Sequence, residues 1–353
     1  MKCTSIAAMI MIPLLLLAGC GGGGGSTADT TQPAFASAVI TGNTVVLTYG
    51  EALDAVNIPA ASAFTVRVNG TPVSLASAGA ISVNSVNKTV TVTLAAAVYS
   101  TDIVTVAYAD PTAGNDVYAI QDSSGNDVPS LAGQAVTNGA ARSAKGFWGG
   151  TTGTVTTSAI VLANGDAWFV FIESGVTSRF ARLQVAAAGT SFSSSTGNQY
   201  LLQTGTKETA AATGTFSEKS TLSADITATS VPTTLTNLAF NPRYETAALQ
   251  ADATGSWTGS FGGNSSSRTM NIAATGALTG TSTTGCSYSG TMLPRPADPA
   301  VFDVNFTETC VVGSPTVLSG IATVNAAKTA LSMAVTTADK ASGALFMGQK
   351  QGI

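Results

Sequence analysis

The chain has 353 residues and a net charge of −4, only 10% of its residues are charged, and Gly, Thr, Ser, Ala and Val fill much of the rest. No basic cluster is present to neutralise phosphates, which argues against nucleic-acid binding. Histidine is absent, and with it Ser-His-Asp and Cys-His catalysis, His-based zinc sites and the usual near-neutral general base.

The chain opens with Lys2, an apolar run over 7–17, and Leu17-Ala18-Gly19-Cys20. A positive start, a short apolar stretch and small residues before a cleavage point read as an export signal. The run is shorter than the ~18–20 residues needed to span a bilayer. Its ending resembles the signal peptide of bacterial lipoproteins. That resemblance implies Sec-dependent export, removal of residues 1–19 and lipidation of Cys20 by a diacylglycerol, with a further fatty acid such as palmitate on the new amino terminus. Two or three chains, at ~0.8 kcal/mol per buried methylene, anchor stably where one is marginal. Residues 20–32 form a Gly-rich flexible tether. Gly21 and Gly22 lack the aspartate that holds enterobacterial members at the inner membrane, so the resemblance implies the outer membrane.

β-Branched residues suit a pleated surface, and Gly, Asn, Asp and Ser supply turns. No long segment repeats apolar residues at the helical period, so an almost entirely β protein is expected. The first unit spans 33–138. Phe64, Val66 and Val68 alternate with Thr65 and Arg67, and Val90, Val92 and Leu94 alternate with Thr89, Thr91 and Thr93, the pattern of half-buried strands. Further strands are expected over 45–49, 81–86 and 103–108, with Asn87-Lys88 as a hairpin turn. About seven short strands at 8–12-residue intervals suggest an immunoglobulin-like β-sandwich. The series Val46-Leu47-Thr48-Tyr49, Ala63-Phe64-Thr65-Val66 with Asn69-Gly70, Val90 to Leu94, Asp102 to Pro111 and Ala119-Ile120-Gln121-Asp122 with Gly125-Asn126 resembles the SWM-type immunoglobulin-like repeat. Such repeats occur in tandem in long bacterial surface and adhesion proteins, whereas this chain carries one copy.

The loop Asp122-Ser123-Ser124-Gly125-Asn126-Asp127 admits two readings. Asp122, Asn126 and Asp127 are weak calcium candidates, because hard cations take several oxygen ligands. The same residue types build any solvated β-turn, and the spacing is not that of an EF-hand.

Residues 139–145 lack apolar alternation and read as a linker. The second unit, 146–350, is expected to be a larger antiparallel domain, barrel-like or sandwich. It holds the apolar strand 167–172 and then a meander over 269–273, 277–282, 287–292, 301–307, 318–324, 331–336 and 343–347. Glycines within these strands permit the coiling of a small closed barrel. Gly-x-Trp-x-Gly occurs at 146–150 and 255–259, marking either two halves of a duplication or aromatic plugs at a barrel end. Gly-x-Trp at a first strand is weakly similar to lipocalin-type and transferrin-binding-protein-type barrels. Trp148, Trp168 and Trp257 are expected in cores. With Cys3 in the signal and Cys20 lipidated, Cys286 and Cys310 remain as an even pair in an oxidising compartment, and a disulfide follows.

The expected function is a lipid-anchored outer-membrane or cell-surface binding or adhesion protein without catalytic activity or cofactor. Its membrane contact is through lipid, and its partner is a protein or glycan. The alternative is a barrel-type carrier of a small hydrophobic ligand or nutrient. A carboxylate-pair hydrolase would draw on Glu173, Glu218, Glu245 or Glu308, but no spacing singles out two of them.

Overall fold

The computed structural model describes residues 28–262 and 266–352, and the protein is all-β. The expected signal peptide, the expected lipidation site Cys20 and most of the expected tether lie outside the described residues. Among the described residues no helix is long and apolar enough to cross a membrane.

The first unit comprises β1 (Phe35–Thr41), β2 (Thr44–Tyr49), β3 (Phe64–Val68), β4 (Thr71–Pro72), β5 (Ile81–Asn84), β6 (Thr89–Thr93), β7 (Val104–Tyr108) and β8 (Leu131–Asn138). They form one sheet in the order β4-β3-β7-β8-β1-β2-β6-β5. β1 and β8 run parallel, pairing Val39 with Thr137 and Ile40 with Asn138. The immunoglobulin-like sandwich therefore has two faces that are halves of a single curled sheet, a half-barrel. The alternation read from the sequence places Ile40, Leu47, Val66, Val90, Val92 and Val106 in its core. Lys88, at φ 57°, turns the chain between β5 and β6.

Residues 146–350 close as two barrels. The first contains β9 (Gly146–Thr152), β10 (Val155–Val161), β11 (Asp166–Glu173), β12 (Val176–Gln184), β15 (Gly197–Leu201), β16 (Thr206–Ser217), β17 (Thr221–Ala228) and β18 (Thr233–Asn241). Pairing of β18 with β9 and of β16 with β17 completes the ring. The short strands β13 (Ala186–Ala188) and β14 (Ser191–Ser194) continue the sheet beside the second half of β16, where β15 has ended. A short helix, Gln250–Ala253, leads into the second barrel. Its strands β19 (Gly255–Phe261), β20 (Arg268–Ile272), β21 (Ala277–Ser282), β22 (Ser287–Pro294), β23 (Phe302–Thr309), β24 (Thr316–Val324), β25 (Ala330–Thr337) and β26 (Gly343–Lys350) form a meander that closes by pairing β26 with β19.

Each Gly-x-Trp-x-Gly pentad begins one barrel. Trp148 donates its indole N–H to the Ala144 carbonyl at 2.9 Å, and Trp257 donates to Ala253 at 2.7 Å. In both cases the partner lies four residues upstream, so the tryptophan pins the entering chain to the lumen. The lumens are filled rather than hollow. Trp148, Phe169, Phe171, Phe192 and Phe216 pack in the first, and Trp257, Met270, Met292, Phe302, Phe306 and Phe346 in the second. Each such side chain contributes roughly 1.5–3 kcal/mol on burial. Glycine is required where barrel strands approach most closely: a Cβ on Gly259 would stand 1.9 Å from the Met347 carbonyl, and one on Gly320 would stand 2.0 Å from that of Ala334.

The strand 167–172 is apolar on both faces because both are covered. Ala167, Phe169 and Phe171 point into the lumen, whereas Trp168 joins Phe180 and Tyr200 against Ile321, Ala334 and Leu345 of the second barrel. Phe180 stacks on Tyr200 with centroids 4.6 Å apart. Arg182 spans this seam, bonding Asp166 and, at 2.7 Å, the Thr336 hydroxyl. The bridge between Cys286 and Cys310 ties the open end of the β22–β23 hairpin, beside the pair Ser287 and Thr309.

Candidate functional site

All three units meet around the segment 95–103, between β6 and β7. Tyr99 is buried there and donates its hydroxyl to the Lys145 carbonyl. Its ring carries the Lys145 ammonium 4.2 Å and the Lys219 ammonium 4.5 Å from its centroid. Lys219 also pairs with Asp102 at 3.0 Å and with Glu245 at 2.6 Å. Ser100 and the Ser143 N–H both donate to Glu218. The first unit and the first barrel thus share an ion-pair and hydrogen-bond network.

The electrostatics follow from this packing. Burial pushes the Tyr99 hydroxyl well above its ordinary range, and Glu245, Asp102 and Glu218 add to the shift. Burial alone pushes Asp102 up, but the Tyr99 N–H, Lys219 and Asn69 together hold its carboxyl below the usual carboxylate range. Burial lowers the Lys145 ammonium to about 8, against the pull of Asp102, Asp298 and Glu218. Lys145 donates to the carbonyls of Ala97 and Val98. The expected linker 139–145 is accordingly clamped at its end: Ala144 and Lys145 are buried, and Ala144 receives the Trp148 indole.

Beside this network opens a cleft of about 500 Å³. Its walls are Val73, Ala95, Ala96 and Val98 from the first unit, Ala247 and Ala248 from the link between barrels, and Pro294, Pro296 and Pro299 from the β22–β23 loop. Its charged lining is already partnered. Arg295 reaches Asp298 and Asp303, and Tyr244 donates to Asp298. Apolar walls with few polar groups suit a small ligand of limited charge. A second cleft of about 400 Å³ lies across Ala97, Val98 and Lys145, bordered by 161–165.

The residues singled out in the sequence fall elsewhere. Asp122 accepts from the N–H groups of Ser124 and Asn126 and from the Asn126 amide. Burial raises Asp122, but these donors hold its carboxyl below the usual range. Asn126 spends its amide on Asp122 and the Asp29 carbonyl, so these two build a self-satisfied turn. Asp127 turns away from them and accepts from the Asp116 N–H. Glu173 pairs with Arg179, Glu218 bonds Ser100 and Ser143, Glu245 pairs with Lys219, and Glu308 accepts from Tyr288. Each has a different partner. Trp148, Trp168 and Trp257 are all core residues. The junction cleft was not legible in the sequence, since its walls are alanines, valines and prolines drawn from three separated segments.

The family model of the SWM repeat, described as a putative flagellar system-associated repeat, matches residues 28–113. The match covers the first unit up to the end of β7 and none of the barrels. No curated protein matches the chain.

Proposed function

We propose that this protein is a non-catalytic binding or adhesion lipoprotein of the bacterial outer membrane or cell surface, held by lipid on Cys20 and engaging its partner at the junction of its three units. Similarity to a putative flagellar system-associated repeat, together with barrel folds, fits a non-catalytic surface or binding protein. The observation that carries the reading is the cleft of about 500 Å³, whose apolar walls come from the first unit, the inter-barrel link and the second barrel. Its charged groups are already engaged in structural bonds, which leaves the cleft suited to recognition. The carrier alternative moves from the lumen to this cleft, because aromatic side chains fill both barrels.

The test uses the full mature protein. Ala96→Trp adds bulk to the cleft lining from the first unit and Ala247→Trp from the inter-barrel link, and each should abolish retention of a surface protein or glycan in pull-downs while leaving the thermal transition in place. Small-molecule adducts in native mass spectra that vanish in both variants would support the carrier reading instead. Unchanged partner retention in both variants would overturn the assignment to the cleft. Cys20→Ser should release the protein from membranes, and continued membrane fractionation with incorporation of labelled fatty acid would refute the anchor.

A further inference from the structure

Asp110 lies two residues beyond the end of β7, Asp116 sits in the following loop and Asp127 follows the Asp122 turn. One carboxylate oxygen from each lies within 4.8 Å of the others. Oxygens on one calcium ion stand up to about 5 Å apart, so three oxygens within this span are close enough for a single ion to draw together. Asp127 is 3% exposed, and its Oδ1 is buried with no hydrogen-bond partner, while its Oδ2 accepts from the Asp116 N–H at 2.7 Å. Asp110 Oδ1 is likewise buried and unpartnered. Asp116 is better served, accepting from the Thr112 hydroxyl and the Tyr118 N–H. Among the described residues none of the three forms an ion pair with Lys or Arg.

Two buried anionic oxygens without a donor, on carboxylates that cluster with a third, are strongly unfavourable unless a cation or a proton joins them. We propose that Asp110, Asp116 and Asp127 form a binding site for a calcium ion, which closes the loop 110–127 onto β7. The donor set is all oxygen and spread along an irregular loop. Calcium accepts such geometry, whereas magnesium demands a near-regular octahedron and holds its waters. A second acidic group, Asp29, Glu51 and Asp122, lacks such buried unpartnered oxygens because Asp122 is fully supplied with donors.

The full mature protein, stripped with EDTA, is titrated with calcium chloride and followed by thermal unfolding and calorimetry. Binding in the range of extracellular modules, on the order of 10⁻⁴ to 10⁻³ M, should raise the transition by several degrees at 10 mM calcium. Asp127→Asn and Asp110→Asn should each lose the response, and without calcium each should melt no lower than wild type, since removing one charge relieves repulsion. Asp29→Asn should keep the full response. Terbium luminescence sensitised by Tyr108 or Tyr118 in the wild-type protein, displaced by calcium, gives a readout independent of variant folding. No calcium shift and no displaceable terbium signal would overturn the proposal. So would a response that survives in both cluster variants or disappears in Asp29→Asn, and an equal response to magnesium would overturn the choice of calcium.

Discussion

Lys219 in the first barrel lies 3.0 Å from Asp102 in the first unit, and Asp102 is almost wholly shielded from solvent. The pair joins segments more than a hundred residues apart. Asp102 also accepts from the Tyr99 N–H and the Asn69 amide. Lys219→Met removes the one cation in this set and leaves a buried carboxylate. The loss should be about 3 kcal/mol, the scale for breaking one side of a buried pair, read from urea unfolding. A loss below ~1 kcal/mol would mark the pair as energetically equivalent to an exposed one.

Lys145 makes stability depend on pH. Its folded pKa is about 8, below the ~10.4 of an unfolded lysine, so the unfolded chain binds more protons between these values and stability rises with pH across that window. Tyr99 and Tyr244, whose hydroxyls are raised by burial, have the opposite effect: their contribution is complete below pH ~10 and falls as pH climbs above it. Urea midpoints should therefore increase from pH 8 towards pH 10 and then decline. Lys145→Met should flatten the rising limb, which a pH series of the two proteins measures.

Trypsin should discriminate within the segment 139–145. Arg142 is exposed whereas Lys145 is buried against Tyr99 and the carbonyls of Ala97 and Val98. Cleavage should occur at Arg142 and spare Lys145. The two pieces should then co-elute in gel filtration, because Ser100, Asp102 and Tyr99 still hold the first barrel. Separation of the fragments after the nick would show that these contacts are weak.

The β22–β23 hairpin offers a further measurement. Cys286 and Cys310 are 24 positions apart, and a loop of that size is worth roughly 3 kcal/mol in the chain-entropy account. Reduction should lower the transition of the wild-type protein and leave a Cys286→Ala, Cys310→Ala variant unmoved.

Gly320→Ala on the adjacent β24 should cost about 1–3 kcal/mol, as overpacking does, because the added methyl meets the Ala334 carbonyl at 2.0 Å. Gly133→Ala on β8, where an added Cβ meets nothing within 4 Å and φ is not positive, should cost less; equal urea midpoints for the two variants would contradict the close-approach argument.

The sequence by itself determined the β character, most strands of the second barrel and the cystine. Thr279, Thr281, Ser287 and Ser289 alternate with apolar or small residues, and that period-2 signal is local, so 277–282 is recovered with its bounds and neighbouring strands to within a few residues. Cys286 and Cys310 are the two cysteines of the second unit, and a single pairing joins them. Closure was not legible: Phe171 and Trp168 look alike along a strand, and only the ring formed by β18 meeting β9 decides that one faces a lumen and the other a second barrel. The same holds for charge. Asp122 and Asp127 sit five residues apart in one polar loop, yet three-dimensional placement of Ser124 and Asn126 satisfies the first, while Asp110 and Asp116 converge on the second. Periodicity reports what each residue's neighbours along the chain permit; burial, ring closure and like-charge convergence depend on contacts across long loops, which the tertiary structure alone supplies.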